Sequence, residues 1–368
     1  MKTDLEHRQA KCKHVPKQPD WLQERTIFLT RYGSHAYGTN TPESDLDLRG
    51  IAVAPIEYYL GFSKKFEQAV SSSPTDLCVY DVQKFMNLAA DCNPSVIEIL
   101  WVDESDVLYE NYCGRLLREA RELFLSQKAK HTFSGYAISQ LKRIDTHRRW
   151  LLKPPVAPPT RAEFDLPERR LLSVDQQGAA LARMQQLIDS WELDLTDLDD
   201  ARRIYLLEQL AKVIEERTSG DETRQAGRLL GFNDNMLDYL DREKRYQAAQ
   251  RQWEQYNEWK VNRNPARAAL EAKMGYDGKH AAHLCRLLRM CREILETGKV
   301  QVRRLDAEEL LAIRNGAWTY EQLREFAERE DKDLYEVMKR SKLPKKPPRD
   351  RLDSLCVSIV QAANGLST

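Results

Sequence analysis

The chain has 368 residues, enough for one large domain or two to three ordinary ones, and it carries 57 acidic and 57 basic residues. With this balance, bulk charge does not indicate a nucleic-acid binder. The seven cysteines include no CxxC pair, so neither a disulfide scaffold nor a structural zinc site is indicated. No apolar run approaches the roughly 20 residues of a membrane helix, and we expect a cytoplasmic protein without a membrane partner.

Three short segments near the start of the chain have the pattern of β-strands. Residues 26–31, TIFLTR, are rich in β-branched and aromatic side chains and end just before Gly33. Residues 44–53, SDLDLRGIAV, alternate between polar and apolar side chains, which predicts a half-buried strand. Residues 75–80, TDLCVY, follow a loop rich in serine and predict a third strand.

Helices are expected to follow these strands. Asp81 stands in a natural N-cap position before apolar residues at helical spacing, namely Val82, Phe85, Met86 and Ala89. Residues 93–101 then predict a turn into another buried element. After about residue 110 the chain shows charged segments with apolar residues at three- and four-residue spacing, which is typical of helices.

Two proline-rich segments divide this helical part. Residues 153–168 predict a junction, and several helices are expected in residues 170–272. A further helix is predicted over residues 279–297. Residues 343–351, LPKKPPRDR, predict a basic linker before a short final helix.

The alternating segment carries a pair of carboxylates with the spacing of a cation site. Residues two apart on a strand face the same way, so Asp45 and Asp47 present two carboxylates to one point. Mg²⁺ prefers oxygen ligands, and two such ions about 3.5–4 Å apart hold the attacking and leaving oxygens of a phosphoryl or nucleotidyl transfer. A third carboxylate on a neighbouring strand often completes the arrangement. Asp76 is the candidate because it opens the next strand, and Asp81 is the alternative.

Gly33 and Ser34 precede this pair and predict a phosphate-binding turn. A glycine lets the backbone approach a phosphate closely, and exposed N–H groups and a serine hydroxyl bind phosphate oxygens. The segment GSHAYG lacks the Gly-Lys-Ser/Thr ending of a Walker loop, which disfavours P-loop ATPase chemistry.

The predicted helix at residues 279–297 carries a basic stripe. Lys279, His283 and Arg286 lie at positions i, i+4 and i+7 and therefore share a face. Such a stripe suits contact with a triphosphate or an RNA backbone. The alternative is an ordinary amphipathic helix whose basic residues are solvated.

The first predicted strand is followed by a Gly-Ser turn, about ten residues and then Asp-x-Asp. This order resembles the nucleotidyltransferase signature of the DNA polymerase beta superfamily. The segments YYLGF, YDVQKFMNLAADCNPSVIEILW and GYDGKHAAHLCRLLRMCREILETGKVQVRRLDAEELLAIRNGAW resemble bacterial and phage predicted nucleotidyltransferases of that superfamily, some of them associated with RNA ligases and RNA repair. The resemblance implies an α+β fold with a polymerase-beta-type mixed β-sheet core and a large helical second domain. It also implies that Asp45, Asp47 and Asp76 are the metal ligands.

The domain organisation that we predict has three parts. Residues 1–110 form the catalytic core, and residues 111–340 form a helical domain with a variable segment at about 153–265. Residues 341–368 comprise the basic linker and the short terminal helix.

We therefore predict an enzyme that transfers a nucleoside monophosphate from an NTP such as ATP to an acceptor hydroxyl and releases pyrophosphate. Two Mg²⁺ ions, with Mn²⁺ as an alternative, are the expected cofactors. Gly33, Ser34, Lys279, His283 and Arg286 are the predicted nucleotide-binding residues. The preferred acceptor is an RNA 3′ end. The alternatives are a small hydroxylated molecule, a protein side chain, or a nucleotide-binding module without catalysis.

Overall fold

The computed structural model describes residues 18–71, 75–189, 222–263 and 265–366. Within them the chain forms a five-stranded sheet and many helices, which confirms the predicted α+β class. The strands are β1 (Thr26–Tyr32), β2 (Asp47–Ala52), β3 (Gln68–Ser71), β4 (Asp76–Asp81) and β5 (Val107–Glu110).

The helices follow in chain order. Those before residue 153 are α1 (Gly33–Tyr37), α2 (Glu57–Leu60), α3 (Val82–Ala90), α4 (Pro94–Ile97), α5 (Tyr112–Glu119) and α6 (Ala129–Leu152). The later ones are α7 (Val174–Asp189), α8 (Glu222–Leu229), α9 (Asp234–Asn262), α10 (Pro265–Met274), α11 (Gly278–Thr297), α12 (Ala307–Arg314), α13 (Tyr320–Arg340) and α14 (Arg349–Ala363). Short 3₁₀ segments lie at Glu98–Trp101, Glu104–Asp106, Arg121–Phe124 and Ala162–Phe164.

The sheet has the strand order β3-β4-β2-β1-β5. The pair β2–β4 is parallel, whereas the other three pairs are antiparallel. The three strands predicted from sequence are the three central ones. The edge strands β3 and β5 were not predicted, because each has only four residues and offers too few positions for a clear alternation.

The chain divides into two compact units, Met1–Leu152 with Pro265–Thr368, and Lys153–Asn264. The predicted boundaries near residues 110 and 340 stay predictions. In the first unit a continuous apolar core runs from the sheet to the helices, with Phe28 on β1, Phe85 on α3 and Leu284 on α11 among its fully buried members. Helix α11 packs against α6, α12 and α13, so the helix with the basic stripe is built into this core.

The second unit has its own apolar clusters. One contains Met184 of α7 and Leu237 of α9, and a second contains Leu166 and Tyr246. Within the described residues, no helix combines the length and the apolar character needed to cross a membrane.

Candidate active site

The parallel pair β2–β4 brings two of the predicted carboxylates side by side. In its register Asp47 is the partner of Asp76, and each residue is the first of its strand. Asp45 lies two residues before Asp47, outside the strand, and is exposed. We call Asp45, Asp47 and Asp76 the carboxylate edge.

The same register separates the two candidates for the third carboxylate. Asp81 is paired with Ala52 at the far end of β4. Its carboxylate accepts a hydrogen bond from the backbone N–H of Gln83, as the N-cap of α3, and another of 2.6 Å from the hydroxyl of Tyr59. The predicted helix-cap role of Asp81 is confirmed, and Asp76 is the acid that neighbours Asp47.

Gly33 lies directly against the carboxylate edge. Its φ of 65° is in the left-handed region, where a glycine carries no steric cost, and it turns the chain from β1 into α1. A Cβ added at Gly33 would overlap Oδ2 of Asp47. The glycine is therefore required twice, for its backbone conformation and for the space that it leaves to the Asp47 carboxylate. Ser34 follows it in the first turn of α1 and is half-buried.

We expect Gly33→Ala to reduce Mg²⁺ affinity by about 10-fold or more, because the methyl group displaces the Asp47 carboxylate. Gly38→Ala is the matched control. Gly38 also has a left-handed φ, of 74°, but a Cβ there would make only ordinary contact, 3.6 Å from Nη1 of Arg303. Both variants should lose about 1–2 kcal/mol of stability through backbone strain. Metal titration and urea unfolding measure the two effects, and equal Mg²⁺ affinities in the two variants would contradict this account.

The charged side chains that act on Asp47 include one from α11. Burial raises the pKa of the Asp47 carboxyl, and the negative charges of Asp76 and Asp45 raise it further. The positive charges of Arg49 and Lys279 lower this pKa. Lys279, which is exposed in the first turn of α11, is thus near enough to act on the carboxylate edge.

Arg49 was not among the predicted site residues. Its guanidinium donates hydrogen bonds to the backbone carbonyls of Leu48 at 2.8 Å and Asp76 at 3.1 Å. It also lies 3.5 Å from Oδ1 of Asp76 and 5.1 Å from the ring centroid of Tyr32. The alternation of β2 places Arg49 on the same face as Asp47, which was the available sequence signal. Its role is to hold the starts of β2 and β4 together and to offset their negative charge.

Arg286 lies in a different environment from Lys279. Its guanidinium is 2.6 Å from Oε1 of Glu98, both side chains are almost fully buried, and the Tyr37 ring centroid is 3.7 Å away. The hydroxyls of Tyr37 and Tyr32 donate to Oε2 of Glu98 at 2.6 Å and 3.2 Å. The structure therefore places Arg286 inside a closed polar network that joins α11 to α1, and direct phosphate contact by Arg286 stays a prediction.

His283 is also turned inward, with its ring edge against Tyr136 at a centroid distance of 5.2 Å. Burial lowers the pKa of its imidazole to about 3, and positive charges around it act in the same direction, namely Arg286, His280, Lys279 and Arg143. His283 is therefore neutral at physiological pH, and a phosphate contact through a charged imidazole is disfavoured.

This lowered pKa predicts an acid-sensitive contribution to stability. Between the pKa of about 3 in the folded chain and about 6.5 in the unfolded chain, the unfolded state binds the additional proton, so stability falls as pH falls. Between pH 7.5 and pH 5, the free energy of unfolding should fall by about 2 kcal/mol because of His283. Urea unfolding of His283→Gln should lack this part of the pH dependence. His131→Gln, at an exposed position of α6, should keep it, and equal pH dependence in both variants would contradict the assignment.

The mixed sheet, the Gly-Ser turn and the carboxylate edge together form the arrangement expected of a polymerase-beta-type nucleotidyltransferase core. Residues 4–156 match the family model of the RNA repair pathway DNA polymerase beta family, RlaP. This match confirms the resemblance stated from the sequence motifs, and it covers the sheet and the carboxylate edge.

The chain is also similar to an uncharacterized 38.9 kDa protein from the nrdC-mobD intergenic region of Enterobacteria phage T4. The two are 27% identical over 130 residues, which is 32% of this chain and 38% of the phage protein. The similarity thus spans well under half of that relative. No solved structure shows a significant match to the chain.

Proposed function

We propose that the protein is a Mg²⁺-dependent nucleotidyltransferase that transfers a nucleoside monophosphate from an NTP to the 3′ hydroxyl of an RNA. The observation that carries the proposal is the register of β2 and β4, which sets Asp47 beside Asp76 next to the Gly33 turn. The description of the matched family, an RNA repair pathway DNA polymerase beta family, supports it.

The carboxylate edge fits the hard cation that such chemistry uses. Its three acids offer only oxygen ligands, which Mg²⁺ prefers. Burial and the neighbouring acids raise the pKa of Asp47, so a bound cation would relieve the repulsion between these like charges. When bound, Mg²⁺ supplies positive charge for the triphosphate and for the charge that develops in the transition state.

The residues of the chain have distinct roles in the proposed reaction. The backbone at Gly33 and the hydroxyl of Ser34 bind phosphate oxygens, and Lys279 offsets the charge of the triphosphate. Asp76 accepts the proton of the acceptor hydroxyl, whose oxygen attacks the α-phosphorus. The bond between the α-phosphorus and the bridging oxygen breaks, and pyrophosphate leaves. Positioning and charge neutralisation account for most of the rate.

A basic groove on α6 supports an RNA acceptor. A groove of about 620 Å³ is lined by three basic residues and one acidic residue, namely Lys142, Arg148, Arg149 and Asp145, together with Tyr320. Arg148 donates a hydrogen bond of 3.1 Å to the carbonyl of Gly275, four residues before Lys279 along the chain. The excess of basic side chains suits contact with a phosphate backbone.

To test this proposal, the protein is incubated with Mg²⁺ and each of four α-labelled NTPs. The acceptor is a pool of total RNA in one set of reactions and a pool of small metabolites in a parallel set. Asp45→Asn/Asp47→Asn protein is the control. Label should enter RNA only with the wild-type protein, and RNA affinity should fall steeply with salt. Label found only in metabolites, or on the protein itself, would contradict the RNA acceptor. The absence of any transfer, with NTP still bound, would support a binding module instead.

A further inference from the structure

A second group of metal-ligating side chains lies in the first compact unit and shares no residue with the carboxylate edge. His147 comes from α6, Asp277 is the N-cap of α11, and His280 lies in the first turn of α11. One ligand atom from each of the three residues lies within 4.8 Å of those of the other two. These three residues were not predicted as a site, because His147 and Asp277 are far apart in sequence.

The distances within this group suit a shared cation better than direct hydrogen bonds. Oδ2 of Asp277 lies 3.5 Å from Nδ1 of His147 and 3.5 Å from Nε2 of His280. An N–H···O hydrogen bond normally spans about 2.7–3.2 Å. Two ligands bound about 2.0–2.1 Å from a tetrahedral zinc ion lie about 3.4 Å apart. The two separations from Oδ2 of Asp277 are therefore those of adjacent corners of a tetrahedral site, and the ligand atoms of the two histidines lie within 4.8 Å of each other.

The Asp277 carboxylate is held in place for this role. Its Oδ1 accepts a hydrogen bond of 3.1 Å from the backbone N–H of His280, which leaves Oδ2 directed towards the two imidazoles. The side chain of Asp277 is only 1% exposed, whereas those of His147 and His280 are 14% and 18% exposed. The carboxylate thus lies in the interior, and the two imidazoles lie between it and the surface.

We propose that His147, Asp277 and His280 bind one divalent transition-metal ion of the zinc class. Two nitrogen ligands and one oxygen ligand suit Zn²⁺ and disfavour Mg²⁺, which prefers oxygen ligands alone. Three protein ligands leave a fourth position for water or another ligand. The ion would join α6 to the first turn of α11, which carries Lys279. This inference does not depend on the proposed transfer reaction.

The test is a titration of chelator-treated full-length protein with Co²⁺, followed by visible absorption. One equivalent of Co²⁺ should produce the absorption bands of a four-coordinate nitrogen and oxygen site, and Zn²⁺ should displace it. His147→Gln and His280→Gln should abolish these bands. Two controls should keep them, His131→Gln on the same helix and Asp45→Asn/Asp47→Asn at the carboxylate edge.

The inference would be overturned by a wild-type protein that binds neither ion, or by histidine variants that bind Co²⁺ as the wild type does. X-ray absorption of the zinc-loaded wild-type protein identifies the ligand atoms even if a variant does not fold. It should show imidazole nitrogen at about 2.0–2.1 Å from zinc. Sulfur at about 2.3 Å would instead assign the ion to cysteine ligands and contradict the proposal.

Discussion

Replacing Asp47 by asparagine should reduce nucleotidyl transfer by about 1,000-fold while leaving the fold intact. Asp47 is the central member of the carboxylate edge, with Asp76 beside it and Gly33 against its Oδ2. Asparagine keeps the size of the side chain but removes a negative oxygen ligand. The stability of the variant should not fall, because burial and the repulsion from Asp76 and Asp45 outweigh the attraction of Arg49 and Lys279, so that the pKa of Asp47 is raised and its charge is disfavoured in the folded chain.

The comparison of Asp76→Asn with Asp81→Ala gives this prediction a matched control within one strand. Asp76→Asn should lose transfer activity to a similar degree with little change in thermal stability. Asp81→Ala removes the cap of α3 and should destabilise the protein by about 0.5–2 kcal/mol. The Mg²⁺ affinity of Asp81→Ala should be unchanged. Rate measurements with saturating NTP, together with thermal melts, separate the two roles, and a loss of Mg²⁺ affinity in Asp81→Ala alone would contradict them.

Replacing Arg286 by methionine should lower the free energy of unfolding by about 3–5 kcal/mol. The substitution leaves Glu98, which is fully buried, without its cationic partner. The hydroxyls of Tyr37 and Tyr32 still donate to this carboxylate but do not neutralise it. Because the network joins α11 to α1, the variant should also loosen the contact between the Gly33 turn and the helical part of the unit.

Two further variants give this experiment its controls. Arg324→Met removes an exposed i,i+4 pair with Glu328 and should cost at most about 0.5 kcal/mol. Arg286→Met/Glu98→Gln should recover part of the lost stability, since no uncompensated charge remains. Urea unfolding gives the energies and NTP titration gives the affinities. Normal stability of Arg286→Met with weakened NTP binding would instead support the direct phosphate contact predicted from helical spacing.

Much of the fold was predictable because its signals are local. The alternation of residues 44–53 predicted β2 and Asp47 on it, whereas Asp45, which was also predicted on the strand, lies before its observed start. The helix predicted over residues 279–297 begins one residue from its observed start. Asp81 was identified as a cap because capping depends on neighbouring residues. Strands β3 and β5 escaped prediction because four residues at the edge of a sheet carry little periodic signal.

The parts of the site that escaped prediction depend on contacts between distant segments. Asp76 was the predicted third acid, but the parallel register that sets it beside Asp47 is a property of the folded sheet. Helical spacing placed Arg286 on a face with Lys279, but the buried Glu98 that engages its guanidinium lies 188 residues away in sequence. The His147 imidazole meets Asp277 and His280 only because α6 packs against α11. No local pattern reports such contacts.

One experiment tests most directly whether the carboxylate edge catalyses nucleotidyl transfer. The protein is incubated with Mg²⁺, RNA and an NTP that carries the label on either the α- or the γ-phosphate. We predict that the α label enters RNA, that the γ label leaves as pyrophosphate, and that Asp47→Asn abolishes both. Transfer of the γ label to RNA, or turnover that Asp47→Asn does not affect, would contradict the account.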